Sequence, residues 1–259
     1  MCPEQANNEH ATRLGSCYGW CRRCKQVHTL PMGHARDLCR GLMLELEQTK
    51  RIDWHVPPKQ ADPRLTTDYL FGPARGQMFG VMEYVDDRGQ VGCAKAFSGQ
   101  YNGIWHVDGW VGPLVDTSEM DRISRPVERT IKELGRTIAG LSDDDPLRRD
   151  LVNKRRALSK GLMKKIHGLY TVSNFRGETR LMADVFEGPG GMPTGTGDCC
   201  APKLLNHAVH NQWIPLGIAE FYWGLENRSG SKKHGRFYPA CTEKCQPILG
   251  FMLCGLADK

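Results

Sequence analysis

GTGDCCAPKLL (residues 195–205), IAEFYW (218–223) and FYPACTEKC (237–245) follow one another near the end of this chain, and their order decides how the rest is read. Asp198 is placed to cap a helix predicted to run through His210, with Pro202 tolerated in its first turn. Residues 214–223 read as a mostly buried strand that carries one carboxylate, Glu220. From Pro239 a last apolar helix is predicted to run to Leu256 despite Pro247, with Cys241 and Cys245 four apart on one face at its start. Thiols at two helix starts, with a carboxylate-bearing strand between them, suit a metal site. Thiolates are good zinc ligands, and the free amides of a helix start lower a thiol's pKa.

The expected core ligands are Cys200, Cys241 and Cys245, with Cys199 beside them. Three thiolates leave a fourth position for water, which a hydrolytic zinc needs, and Glu220 or Asp198 would move the protons. The same cysteines also fit small buried hydrophobes that start helices. Glu220 equally fits an ion pair with Lys203, Arg236 or Lys244.

Upstream, residues 78–83 and 91–97 flank Asp86-Asp87-Arg88-Gly89, a turn signal between strand-like runs, and read as a β-hairpin. The following loop, with Tyr101, Trp105 and several glycines, either lines a pocket or caps a core. Val127, Ile131, Leu134, Ile138 and Leu141 form the seam of one helix. Leu147, Leu151, Leu158, Leu162 and Ile166 form a second, started by Asp145 and Pro146. Together they predict an antiparallel helical hairpin, on which two copies of the chain could pair. Its second arm carries Arg155, Arg156, Lys160 and Lys164 among its basic residues. That arm fits either a phosphate backbone or a solvated face.

Nearer the N-terminus, Cys17-x3-Cys21-x2-Cys24-x3-His28, with Cys39 further on, forms a thiol-rich loop leading into a helix marked by Leu38, Leu42, Met43 and Leu46. The spacing predicts a structural zinc knuckle closed by Cys17, Cys21, Cys24 and His28. A redox pair is disfavoured because no strand is predicted before it. Residues 1–16 read as a loose polar lead, and residues 57–76, rich in Pro and Gly, as mostly irregular. The resulting organisation is an N-terminal Cys-rich segment and helix (1–50), a β-hairpin and aromatic loop (76–116), an inserted helical hairpin (117–170) and the rest of the core with its cysteine site (171–259). The fold class is α+β or α/β, with a small mixed sheet and helices.

Hydrophobic residues make up 40% and charged residues 25% of the chain, and mean hydropathy is −0.48, which excludes a disordered polymer. No apolar run reaches the length of a membrane span, and the first residues lack the pattern of a secretory signal, so a cytosolic protein is expected. There thiols stay reduced, and an odd count of 11 cysteines argues for metal ligands or buried thiols over a disulfide framework. A net charge of +6 suits a polyanion such as RNA, with Arg236 and its loop, and Trp105, Trp110 or Tyr101, as further contacts.

The order hairpin, thiol-led helix, strand, and Pro-x-Cys before a last helix resembles zinc-dependent nucleobase deaminases. In that family a zinc-bound hydroxide attacks the ring carbon bearing the amine, and a Glu shuttles the proton. Where those enzymes have that Glu, two residues after the first ligand, this chain has Pro202. Where they space the later cysteines by two residues, this chain has three. A second resemblance covers roughly residues 76–256. QMFGV (77–81), AFSG (96–99), the 195–205 stretch, AEFYWG (219–224) and HGRFYPAC (234–241) through Ile248-Leu249 look like the long N-terminal region of some bacterial pseudouridine synthases of the ribosomal large-subunit synthase A type. The His-Arg-Leu-Asp motif of their catalytic domain is absent, so pseudouridine formation does not carry over. The resemblance implies an RNA-modification setting, and the two together imply a hydrolase acting on a nucleobase or nucleotide or, alternatively, a non-catalytic RNA-binding module or structural zinc protein.

Overall fold

A computed structural model describes residues 17–259; the polar lead expected over residues 1–16 lies outside the described residues. The fold is α+β. Its centre is a four-stranded sheet in the order β4-β3-β7-β8, formed by β3 (Gln77–Val85), β4 (Val91–Phe97), β7 (Ile214–Trp223) and β8 (Arg236–Phe237), every neighbouring pair antiparallel. The predicted hairpin is β3 and β4, and the predicted buried strand is β7.

Alternation along these strands creates two cores. Phe79, Val81, Phe97, Ala219, Phe221 and Trp223 face one side, where α1 (Ala35–Thr49) packs with Ala35, Cys39, Leu42 and Leu46. Met82, Ala96 and Ile218 face the other, under α5 (Cys200–His210) and α6 (Gln246–Met252). The register Gly80↔Glu220 puts Glu220 on this second side, opposite the one residue of β3 with no side chain to compete for the space. A Cβ at Gly80 would stand 2.7 Å from the Cys200 Cβ and 3.3 Å from the Glu220 Cγ.

Residues 17–30, predicted as a loop, form a separate hairpin of β1 (Cys17–Cys21) and β2 (Gln26–Leu30). Its turn is closed by Lys25 N donating to Cys21 O at 2.8 Å, with Lys25 at φ 52°. Glycine lets β1 and α6 meet backbone to backbone: a Cβ at Gly250 would stand 1.7 Å from Trp20 O. Between the hairpin β3–β4 and the rest of the core, α2 (Thr117–Ala139) and α3 (Pro146–His167) pack on each other. Asp116 and Asp145 cap them, as the sequence suggested for Asp145. Small strands β5 (Thr171–Ser173) and β6 (Thr179–Leu181) and the short α4 (Met182–Val185) complete the chain's course toward α5. Among the described residues, no helix is long and apolar enough to cross a membrane.

Candidate metal centres

Two groups of thiols converge, and neither is quite the group the spacing predicted. In the core, Cys199, Cys241 and Cys245 bring their sulfurs within 4.8 Å of one another, a set able to hold a metal ion. Cys199 occupies the N-cap position of α5 with an extended backbone, which turns its side chain away from the helix. Cys245 is the N-cap of α6, and Cys241 begins the turn before it, closed by Cys245 N and Gln246 N donating to Cys241 O. The Cys241 and Cys245 sulfurs are 3.3 Å apart. Contacts among the three sulfurs hold the Cys241 thiol well below its ordinary pKa and push Cys199 and Cys245 up. Such a shared negative charge is what a soft cation neutralises. Cys245 is buried, whereas Cys199 and Cys241 are partly exposed, so the cluster opens toward the surface on one side.

Cys200 is not in this group. One residue further along α5, it points down at the sheet, where its thiol donates to Met78 O at 3.5 Å and burial raises its pKa. Successive helical residues are about 100° apart, so two adjacent cysteines cannot both face one ion from a rigid helix start.

Glu220 lies in the sheet beneath the same helix start. Its Oε1 accepts from Ala201 N at 2.7 Å, satisfying one of the free donors of α5. That is the role expected of Asp198, which instead accepts from the Tyr170 hydroxyl at 2.8 Å and makes no cap. Burial, reinforced by the charge of Cys241, lifts the Glu220 carboxyl to about 7 against the pull of the Ala201 bond. Burial also raises Asp198, opposed by Tyr170, Lys203 and Lys244. Among the described residues Glu220 makes no ion pair. Lys203, the buried lysine offered as its partner, donates to Phe97 O at 2.9 Å and Gly99 O at 2.8 Å, tying α5 to the loop after β4. Tyr170 and the carbonyl-bound Lys203 carried no signal in the sequence. Gly80 could have been found as the glycine inside a strand run, a mark of close approach.

The second group is Cys21, Cys24, His28 and Cys254, whose donor atoms also lie within 4.8 Å of one another. Cys17 is absent from it, because residues 17–21 form a strand: four residues extend about 13 Å along β1, and Cys17 is buried in the core at 1% exposure. Cys254, just beyond α6, takes its place. Cys39 lies on the far face of the sheet, donating to Ala219 O at 3.3 Å.

The basic residues Arg155, Arg156, Lys160 and Lys164 are exposed along α3, and Arg236 is exposed on β8. None of these five makes an ion pair among the described residues. Two of the aromatic residues considered for stacking on bases are core instead: Tyr101 donates to Thr66 O and Trp110 to Ile52 O, both buried. No family model, curated protein or solved structure matches this chain.

Proposed function

We propose that this chain is a zinc-dependent hydrolase of deaminase-like layout that acts on a nucleobase or nucleotide in an RNA-modification setting. The observation that carries the reading is the convergence of Cys199, Cys241 and Cys245 from two helix starts, with the buried Glu220 carboxylate held at Ala201 N, two residues past Cys199, and raised by the charge of Cys241. Three thiols fit zinc, and a set of three leaves room for water or substrate. Zinc bound there supplies a Lewis acid and an activated water. Glu220 is held at Oε1 by Ala201 N, while its Oε2 takes no hydrogen bond among the described residues and is free to accept and return a proton. The strand order supports the layout, with α5 following the β3–β4 hairpin and returning through β7 to the β8–α6 turn. The setting in RNA modification rests on the five motif blocks that resemble the synthase N-terminal region.

The test is incubation of zinc-loaded protein with nucleosides and RNA oligonucleotides, read by mass spectrometry for amino-to-keto conversion. Conversion should vanish in Cys199→Ser, Cys241→Ser and Glu220→Gln, with zinc lost only in the two cysteine variants. Cys200→Ser should keep both metal and activity. Zinc content indifferent to Cys199→Ser and Cys241→Ser would remove the site.

A non-catalytic RNA-binding module is favoured by a different observation, the exposed Arg155, Arg156, Lys160 and Lys164 of α3, none of which makes an ion pair among the described residues. On that reading the cysteine clusters only hold the fold.

A further inference from the structure

Cys21 ends β1, Cys24 lies in the turn after it, His28 sits on β2 and Cys254 follows α6, so the second cluster joins segments from opposite ends of the described chain. Three features of this cluster point to a ligand. The His28 Nε2 is buried and has no hydrogen-bond partner, a cost that proteins rarely leave unmet. Lys25, directly after Cys24, adopts a left-handed backbone at φ 52°, which folds the chain so that Cys21 and Cys24 present their sulfurs to one point. Arg176 donates from Nε to the Cys254 sulfur at 3.4 Å and is itself held by Asp258 at 2.8 Å, an outer partner suited to a thiolate.

We propose that Cys21, Cys24, His28 and Cys254 bind one structural zinc ion that fastens the N-terminal hairpin to the end of α6. Three thiolates and one imidazole form a closed tetrahedral set with no position for water. The Arg176 guanidinium, bonded to the Cys254 sulfur, offsets part of the net negative charge of such a complex. The backbone contact of β1 with α6 at Gly19 and Gly250 lies beside this ion, so the staple and the packing fix the same helix. The ligand assignment does not depend on the proposed hydrolase.

Zinc per chain, measured by mass spectrometry of purified protein, should fall by one equivalent in Cys24→Ser and in Cys254→Ser, and stay unchanged in Cys93→Ser, an exposed thiol outside both groups. His28→Cys keeps four donors and should keep the ion, but in the cobalt-substituted protein its absorption should shift as a fourth thiolate replaces nitrogen. A zinc count unmoved by Cys24→Ser and Cys254→Ser, a cobalt spectrum unmoved by His28→Cys, or an intact mass showing a Cys24–Cys254 disulfide in freshly purified protein would overturn the proposal. The core site reads out separately. If Cys241→Ser leaves the count unchanged while Cys254→Ser lowers it, the hydrolase reading fails and the staple stands; in the converse case the staple fails and the core site stands.

Discussion

Gly80→Ala tests how the sheet positions the core thiols. The added Cβ would lie 2.7 Å from the Cys200 Cβ and 3.3 Å from the Glu220 Cγ, against an ordinary carbon contact of about 3.5–4 Å. The Cys200 Cβ is fixed to the first turn of α5 and cannot rotate away, so the helix start must retreat by about 1 Å. Overpacking of this kind costs about 1–3 kcal/mol. Alanine recovers about 0.5–1 kcal/mol over glycine in a strand interior, which leaves a net loss of about 1–2 kcal/mol. Urea unfolding followed by tryptophan fluorescence reads this as a lower midpoint at constant slope. Cys200→Gly removes the opposing Cβ. The double variant should therefore be more stable than the two single losses predict, by about 1 kcal/mol. Because Cys199 adjoins Cys200, cobalt affinity at the core cluster should fall in Gly80→Ala while the cluster at Cys254 is untouched. Strictly additive losses, or equal weakening of both clusters, would refute the close approach of strand and helix as the device that places Cys199.

Glu220→Gln separates a proton-binding carboxyl from a mere hydrogen-bond acceptor. In metal-free protein the folded carboxyl titrates at about 7 against 4.5 ordinarily, so its contribution to stability is complete below about 4.5 and is lost as pH rises through about 7. Urea unfolding at pH 5 and at pH 8 should show the variant gaining on the wild type by up to about 3 kcal/mol at the higher pH, and parallel profiles would contradict the burial argument. On the RNA-binding reading, reversing the charge at Arg155, Arg156 and Lys160 should weaken binding to RNA and flatten its salt dependence by roughly one unit of slope for each phosphate no longer neutralised. Unchanged binding at low ionic strength would take α3 off the RNA.

Much of the fold was legible because it follows strong local signals. The seams of α2 and α3 repeat at the helical period, Asp86-Asp87-Arg88-Gly89 marks the turn between β3 and β4, and β7 shows as a continuous apolar run. The β1–β2 hairpin was not legible. Cys17-Tyr18-Gly19-Trp20-Cys21 lacks clean alternation because three of its first four residues are buried, Gly19 against α6 rather than in a sheet core. The helix predicted from Pro239 is also shorter than expected. A turn occupies residues 241–245, and α6 starts only at Gln246, with Pro247 in the first turn where its missing N–H costs nothing. Distance in sequence hid Cys254, which has no spacing relation to Cys24, 230 residues away.

The choice between Cys199 and Cys200 shows what sequence spacing cannot carry. Both adjoin a helix start, and either could be counted one helical turn from a partner. What separates them is the boundary itself: Cys199 has an extended backbone at ψ 166°, outside the helix, whereas Cys200 is its first residue and faces the sheet. The boundary is set in turn by Glu220, whose carboxylate takes the Ala201 N–H from below, and by Gly80, which leaves it room. Seven residues make too short a helix to hold its own position, so α6 owes its place to packing, with Ile248, Leu249 and Met252 buried in the core and Gly250 against the backbone of β1. Cys245 stands at one end of it and Cys254 lies just beyond the other. Each cluster can therefore be changed without moving the other, and the Glu220 carboxylate and Cys199, both set by α5 and the sheet, are the parts of the core site that do not depend on α6 for their place.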